Sequence, residues 1–64
     1  MRYDKGKKVR VVLPQFEKLY GKNEWIIDHI RVQGNNYPSL YICYNLNDES
    51  ALHYHFLENE VEAI

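Results

Sequence analysis

Two imidazoles one residue apart, His53-x-His55, share a face if the segment is a strand, with Cα atoms about 6–7 Å apart. That is a spacing at which two histidines can hold a zinc ion. A third ligand would have to come from His29, Cys43, Asp28 or Glu58, and no sequence spacing requires any of them. The expectation is therefore a solvent-facing strand surface opposite Leu52, Tyr54 and Phe56, with no metal. Cys43 beside a histidine would make a nucleophile and base. Lying between Ile42 and Tyr44, it reads instead as a small core hydrophobe. Glu58, Glu60 and Glu62 fall in a turn and a short strand, where solvated carboxylates discourage edge-to-edge pairing. Acid–base work on a sugar would need a deep cleft, which a chain of 64 residues seldom encloses. Gly6, Gly21 and Gly34 are too far apart for a phosphate-cradling loop. No catalytic constellation is present, so the chain reads as a non-enzyme without a cofactor.

The aromatic residues point elsewhere. Tyr20, Tyr37, Tyr41 and Tyr44, with Trp25, Tyr54, Phe16 and Phe56, exceed what so small a core hides. Tyr20, Trp25 and Tyr37 are the candidate partner-binding residues, placed by the long loops. Tyrosine, tryptophan and arginine are enriched at protein hot spots. The same aromatics beside Lys18, Lys22 and Arg31 would suit base stacking on single-stranded nucleic acid. The competing expectation is that they pack the first long loop onto the body of the protein.

Charge is divided along the chain. Residues 1–22 carry seven basic side chains against two acidic, net +5, and residues 23–64 one against seven, net −6. Lys5, Lys7, Lys8, Arg10, Lys18 and Lys22 are thus the candidate nucleic-acid contacts. Adjacent strands that neutralise each other would produce the same asymmetry, and a total of −1 argues against indiscriminate DNA coating.

Short strands must position all of these residues. Val9, Val11 and Leu13 alternate as in a half-buried strand until Pro14 removes a donor. Phe16, Leu19 and Tyr20 have the spacing of one helical turn, with Gly21 able to close it. From Glu24 to Gln33, Trp25 and Ile27 lie on one parity and Ile30 and Val32 on the other. A strand burying both sets on one face needs a bulge near Asp28-His29. Residues 34–39 form a loop of Gly, Asn and Pro. Leu40 to Leu46 is apolar on both parities, and Asn47-Asp48-Glu49-Ser50 makes a tight polar hairpin. In Ala51 to Phe56, Leu52, Tyr54 and Phe56 alternate inward. Leu57 to Glu60 suits a 3₁₀ turn and Val61 to Ile64 a last strand with Val61 inward.

One domain over residues 6–64, after an N-terminal tail of residues 1–5, fits this length. Its class is all-β: five strands, with a helical or 3₁₀ turn in the first loop and another before the last strand. The glycine-led Gly6-Lys7-Lys8-Val9-Arg10-Val11 strand, the Gly21 to Ile30 segment and the closing run from Tyr54 to Ile64 carry a resemblance over nearly the whole chain. The sequence resembles the SH3-like small barrel, as found among uncharacterised bacterial and bacteriophage proteins and, more distantly, ribosome- or transcription-associated barrels. The resemblance implies a topology. The Ala-Leu-Tyr-Asp-Tyr stretch and tryptophan pair of the peptide-binding branch are absent, so proline-rich ligands are not implied. The expectation is a small binding module for a protein partner, with nucleic acid as the alternative. It is further expected to be cytoplasmic, without membrane contact, and a monomer or weak edge-mediated dimer.

Overall fold

A computed structural model describes residues 3–64. Five antiparallel strands form one sheet in the order β4-β3-β2-β1-β5, with β1 at Lys8–Val11, β2 at Trp25–Arg31, β3 at Leu40–Asn45, β4 at Tyr54–Phe56 and β5 at Val61–Ala63. A helix, α1 (Pro14–Tyr20), joins β1 to β2, and a 3₁₀ turn over Glu58–Glu60 leads into β5. No helix among the described residues is long and apolar enough to cross a membrane.

The first loop holds seven helical residues, more than the single turn expected. Pro14 starts α1 where a missing N–H costs nothing, and Gly21 ends it at φ 70°, its N–H donating to the Glu17 carbonyl. Phe16 and Tyr20 pack on the core, whereas Leu19 is exposed. The helix has no independent stability at this length. Aromatic edges hold it down instead: Phe16 meets Trp25, Tyr54 and Phe56 at ring-centre distances of 5.7, 5.0 and 5.2 Å, all steeply tilted.

The pairing of β2 with β3 shifts register between Ile27 and His29. Asp28 is the extra residue, so Trp25, Ile27 and Ile30 all turn to one face, as the parity conflict in the sequence requires. Val32 does not join them, because it lies beyond the end of β2 and is 75% exposed. On β3, Tyr41, Cys43 and Asn45 face inward and are buried, and Ile42 is buried as well. The core unites Val9, Val11, Trp25, Ile27, Tyr41, Cys43, Phe56 and Val61.

One expectation is corrected. The β3–β4 connection is no tight hairpin: it runs from Leu46 to His53, around Asp48. The Asp48 carboxylate accepts from the Ser50 N–H at 3.0 Å, the Ser50 hydroxyl at 2.7 Å and the Leu52 N–H at 3.1 Å. These bonds take the place of a ladder, so Ala51, Leu52 and His53 are not strand, Ala51 has φ 52° and Leu52 is exposed rather than inward. In the N-terminal tail of residues 1–5, Tyr3 is docked. Residues 1 and 2 lie outside the described residues, but the Tyr3 N–H donates to the Tyr41 hydroxyl at 3.0 Å, and its own hydroxyl accepts from the Ala63 N–H at 3.3 Å.

Candidate interaction surface

Trp25 forms part of the core and cannot face a partner. It is wholly buried, its indole N–H donates to Asn23 Oδ1 at 2.9 Å, and Phe16, Tyr20, Tyr54 and Phe56 surround it edge-on. The strand register dictates this, since Trp25 shares the inward parity of Ile27.

Tyr20 packs α1 onto the same cluster. Its hydroxyl donates to that of Tyr54 at 2.8 Å. The Tyr54 hydrogen bond, then burial, pushes the Tyr20 phenol up to about 12. Tyr37, by contrast, is 69% exposed. The two residues do not share a surface: the Tyr20 carbonyl accepts from Asn47 just past the end of β3, whereas Tyr37 precedes its start. The length of a six-residue strand, about 17 Å, lies between them.

The basic candidates divide in two. Lys8 and Lys22 both reach Glu24, at 3.4 and 2.9 Å, and Arg10 pairs with Glu62 directly across the β1–β5 ladder. Lys22, and then Lys8, hold the Glu24 carboxyl below the usual range. The opposite charges of the two halves thus meet as neighbours, each exposed pair contributing little. Among the described residues Lys5, Lys7 and Lys18 have no carboxylate within ion-pair distance.

His53 precedes β4, while His55 lies within it opposite Ile42. Among the described residues no group of three histidine, cysteine or acidic side chains is placed to hold a metal. Cys43 is buried, and desolvation pushes its thiol up to about 12, so it stays protonated and inert. A shallow groove of about 280 Å³ lies between β1, α1 and β5, lined by Val12, Pro14, Glu17 and Glu62 among others.

The β2–β3 loop differs from all of these. Every residue from Val32 to Pro38 is exposed, including the large side chains of Val32 and Tyr37. A Gln33 side-chain bond to the Pro38 carbonyl at 3.0 Å spans its base, and Gly34 takes φ 124°. Between His29 and Asn47 there is no acidic residue, and Arg31 is the only fixed charge. Val32 was not legible as a surface residue in the sequence; its signal was the parity it shares with Ile30, which the end of β2 cancels.

No family model, curated protein or solved structure matches the chain.

Proposed function

We propose that this chain is a non-catalytic binding module that engages a protein partner through the tip of the β2–β3 hairpin, with Tyr37 and Val32 as anchors. One observation carries the reading: two large side chains that could be buried stand exposed on a single loop free of carboxylates. Such residues gain most when a partner covers them. The partner's complementary surface is neutral or acidic, to match Arg31.

The proposal includes an SH3-like barrel. Its supports are the strand order β4-β3-β2-β1-β5, the bulge that bends β2 and the core cluster that joins Phe56 of one edge strand to Val61 of the other. A sheet whose two edges share a core must curl. The resemblance to small bacterial and bacteriophage barrels, and a cytoplasmic site of action, belong to the same reading.

A photo-crosslinking residue placed at position 37, compared with one at Lys18, tests it in lysate of the source cells. The expected result is a protein adduct from position 37 that Val32→Ser weakens. Adducts only from position 18, suppressed when irradiation is carried out at high salt and sensitive to nuclease, would overturn it in favour of nucleic acid at Lys5, Lys7 and Lys18.

A further inference from the structure

The two edges of the sheet are not equally open. In the β1–β5 pair the Val12 N–H donates to the Glu60 carbonyl at 2.9 Å. Opposed residues of an antiparallel pair alternate between bonded and unbonded. The backbones of Arg10 and Glu62 therefore bond, and those of Val9 with Ala63 and Val11 with Val61 do not. Val61 and Ala63 turn their N–H and C=O groups away from β1, to the free edge of β5. On the other side of the sheet the Leu46 N–H donates to the Glu24 carbonyl at 3.0 Å, which sets the Tyr44 backbone toward β2 and those of Tyr41 and Cys43 toward β4. Their partners are Phe56 and Tyr54, so β4 turns out only the backbone of His55. Just beyond it, the Leu57 N–H donates to the Glu60 carboxylate at 2.7 Å and the Leu57 carbonyl accepts from the Glu60 N–H at 3.0 Å. The free edge of β5 is thus the better template for another strand.

Tyr3 lies on that edge. Its hydroxyl accepts from the outward Ala63 N–H at 3.3 Å, the bond that the carbonyl of a neighbouring strand would make. The residue is held from behind by buried Tyr41: the two rings are 5.9 Å apart, and the Tyr3 N–H donates to the Tyr41 hydroxyl at 3.0 Å. A turn closed by the Lys7 N–H on the Asp4 carbonyl at 3.1 Å, with Gly6 at φ 87°, connects Tyr3 to β1. Tyr3 so joins β3 to β5, which the sheet order keeps apart.

We infer that Tyr3 and Glu62 guard the β5 edge against pairing with the β5 edge of a second copy, and so keep the chain monomeric. The edge is self-complementary in its backbone. Two β5 strands related by a two-fold axis at Glu62 run antiparallel, with Val61 of each opposite Ala63 of the other and both pairs bonded. Tyr3 takes the Ala63 N–H of each chain, and with it half of that ladder. The same axis sets Glu62 opposite itself in the unbonded pair, where Cα atoms are about 4.5 Å apart and side chains lie closest. Like charges at such a position are destabilising. Arg10, paired with Glu62 within each chain, softens this repulsion, so Glu62 is the weaker guard and Tyr3 the stronger.

The test is sedimentation equilibrium together with amide hydrogen exchange, in wild type, Tyr3→Phe, Tyr3→Ala and Tyr3→Ala combined with Glu62→Gln. Wild type is expected to be a monomer. Tyr3→Phe keeps the ring and removes the acceptor, so the Ala63 amide exchanges about two- to ten-fold faster, as loss of one hydrogen bond provides. The Glu62 amide, bonded to Arg10 inside the sheet, is unchanged. Tyr3→Ala is expected to dimerise at high concentration, and the double variant about two- to five-fold more tightly, as relief of one like-charged pair provides. In both dimers the Ala63 amide regains protection. A wild-type chain that already pairs through Ala63, an unchanged Ala63 amide in Tyr3→Phe, or a folded double variant that stays monomeric would overturn the inference. If Tyr3→Ala does not fold, the Ala63 amide in Tyr3→Phe decides alone.

Discussion

Two regions rich in asparagine lie at opposite ends of β3, and they use the residue in contrary ways. At one end Asn23 acts as a piece of β2 that is not there: its side chain accepts from the Val11 N–H and donates to the Val11 carbonyl, both at 2.8 Å, while the same oxygen takes the Trp25 indole. Asn45, 1% exposed, donates to the Lys22 carbonyl and accepts from the Asn47 N–H, each at 2.7 Å. Asn47 in turn donates to the Tyr20 carbonyl. At the other end Asn35 and Asn36 are exposed in the β2–β3 loop, where the residue serves by tolerating turn geometry. An amide side chain substitutes for backbone where strands run out, and leaves the backbone free where a surface must adapt. The first region is built to hold α1 and Trp25 still; the second is where the proposed partner binds.

The comparison breaks most directly at Asn23. Asn23→Ala strands a buried indole N–H and both polar groups of Val11, and is expected to cost roughly 2–4 kcal/mol in denaturant unfolding. Asn45→Ala leaves the Lys22 carbonyl and Asn47 N–H without their partner, an expected loss of about 1–3 kcal/mol. If either change proved as mild as Asn35→Ala or Asn36→Ala, the contrast between the two ends would collapse. Gly21→Ala, which forces a side chain into the left-handed region at the end of α1, should cost about 1 kcal/mol, visible as a lower melting temperature.

Asp48 sharpens the comparison through pH. Its bonds from Ser50, then that from Leu52, hold its carboxyl below the ordinary value. A carboxyl lowered on folding stabilises the native state above its unfolded pKa, and that stability disappears as pH falls through the folded pKa. Acid titration of wild type against Asp48→Asn should therefore show a gap in stability at pH 6 that closes below pH about 4. The smallest effect belongs to the tip: Val32→Ser should shift stability by less than about 0.5 kcal/mol while weakening the adduct formed from position 37.

What the sequence revealed follows from what is local. The β2 bulge was legible because Trp25, Ile27 and Ile30 contradict a period of two, and the turn before β5 because Leu57 to Glu60 is too short for anything longer. The burial of Val9, Val11, Cys43, Phe56 and Val61 followed from alternation and from residue type. The site was less legible. Whether Tyr20 stands beside Tyr37 depends on which end of β3 each loop meets, and that is fixed by pairings between residues far apart in the chain. Trp25 looked like an anchor because tryptophan is common at interfaces, but its inward parity decided the matter. Asn23 and Asp48 gave no periodic signal at all, since each acts by one side chain meeting particular backbone groups. The charge asymmetry was plain, and its resolution into Lys8, Lys22 and Arg10 pairs became visible only with the register of β1.

The inward position of Cys43 gives the molecule a clock. It is the chain's single thiol, on a strand paired along both sides and with no exposed surface. A thiol reagent can therefore reach it only when the β2–β3–β4 region comes apart. The modification rate under native conditions, divided by that of the unfolded chain, measures how often this happens. The frequency of opening can thus be followed with no denaturant and no engineered label.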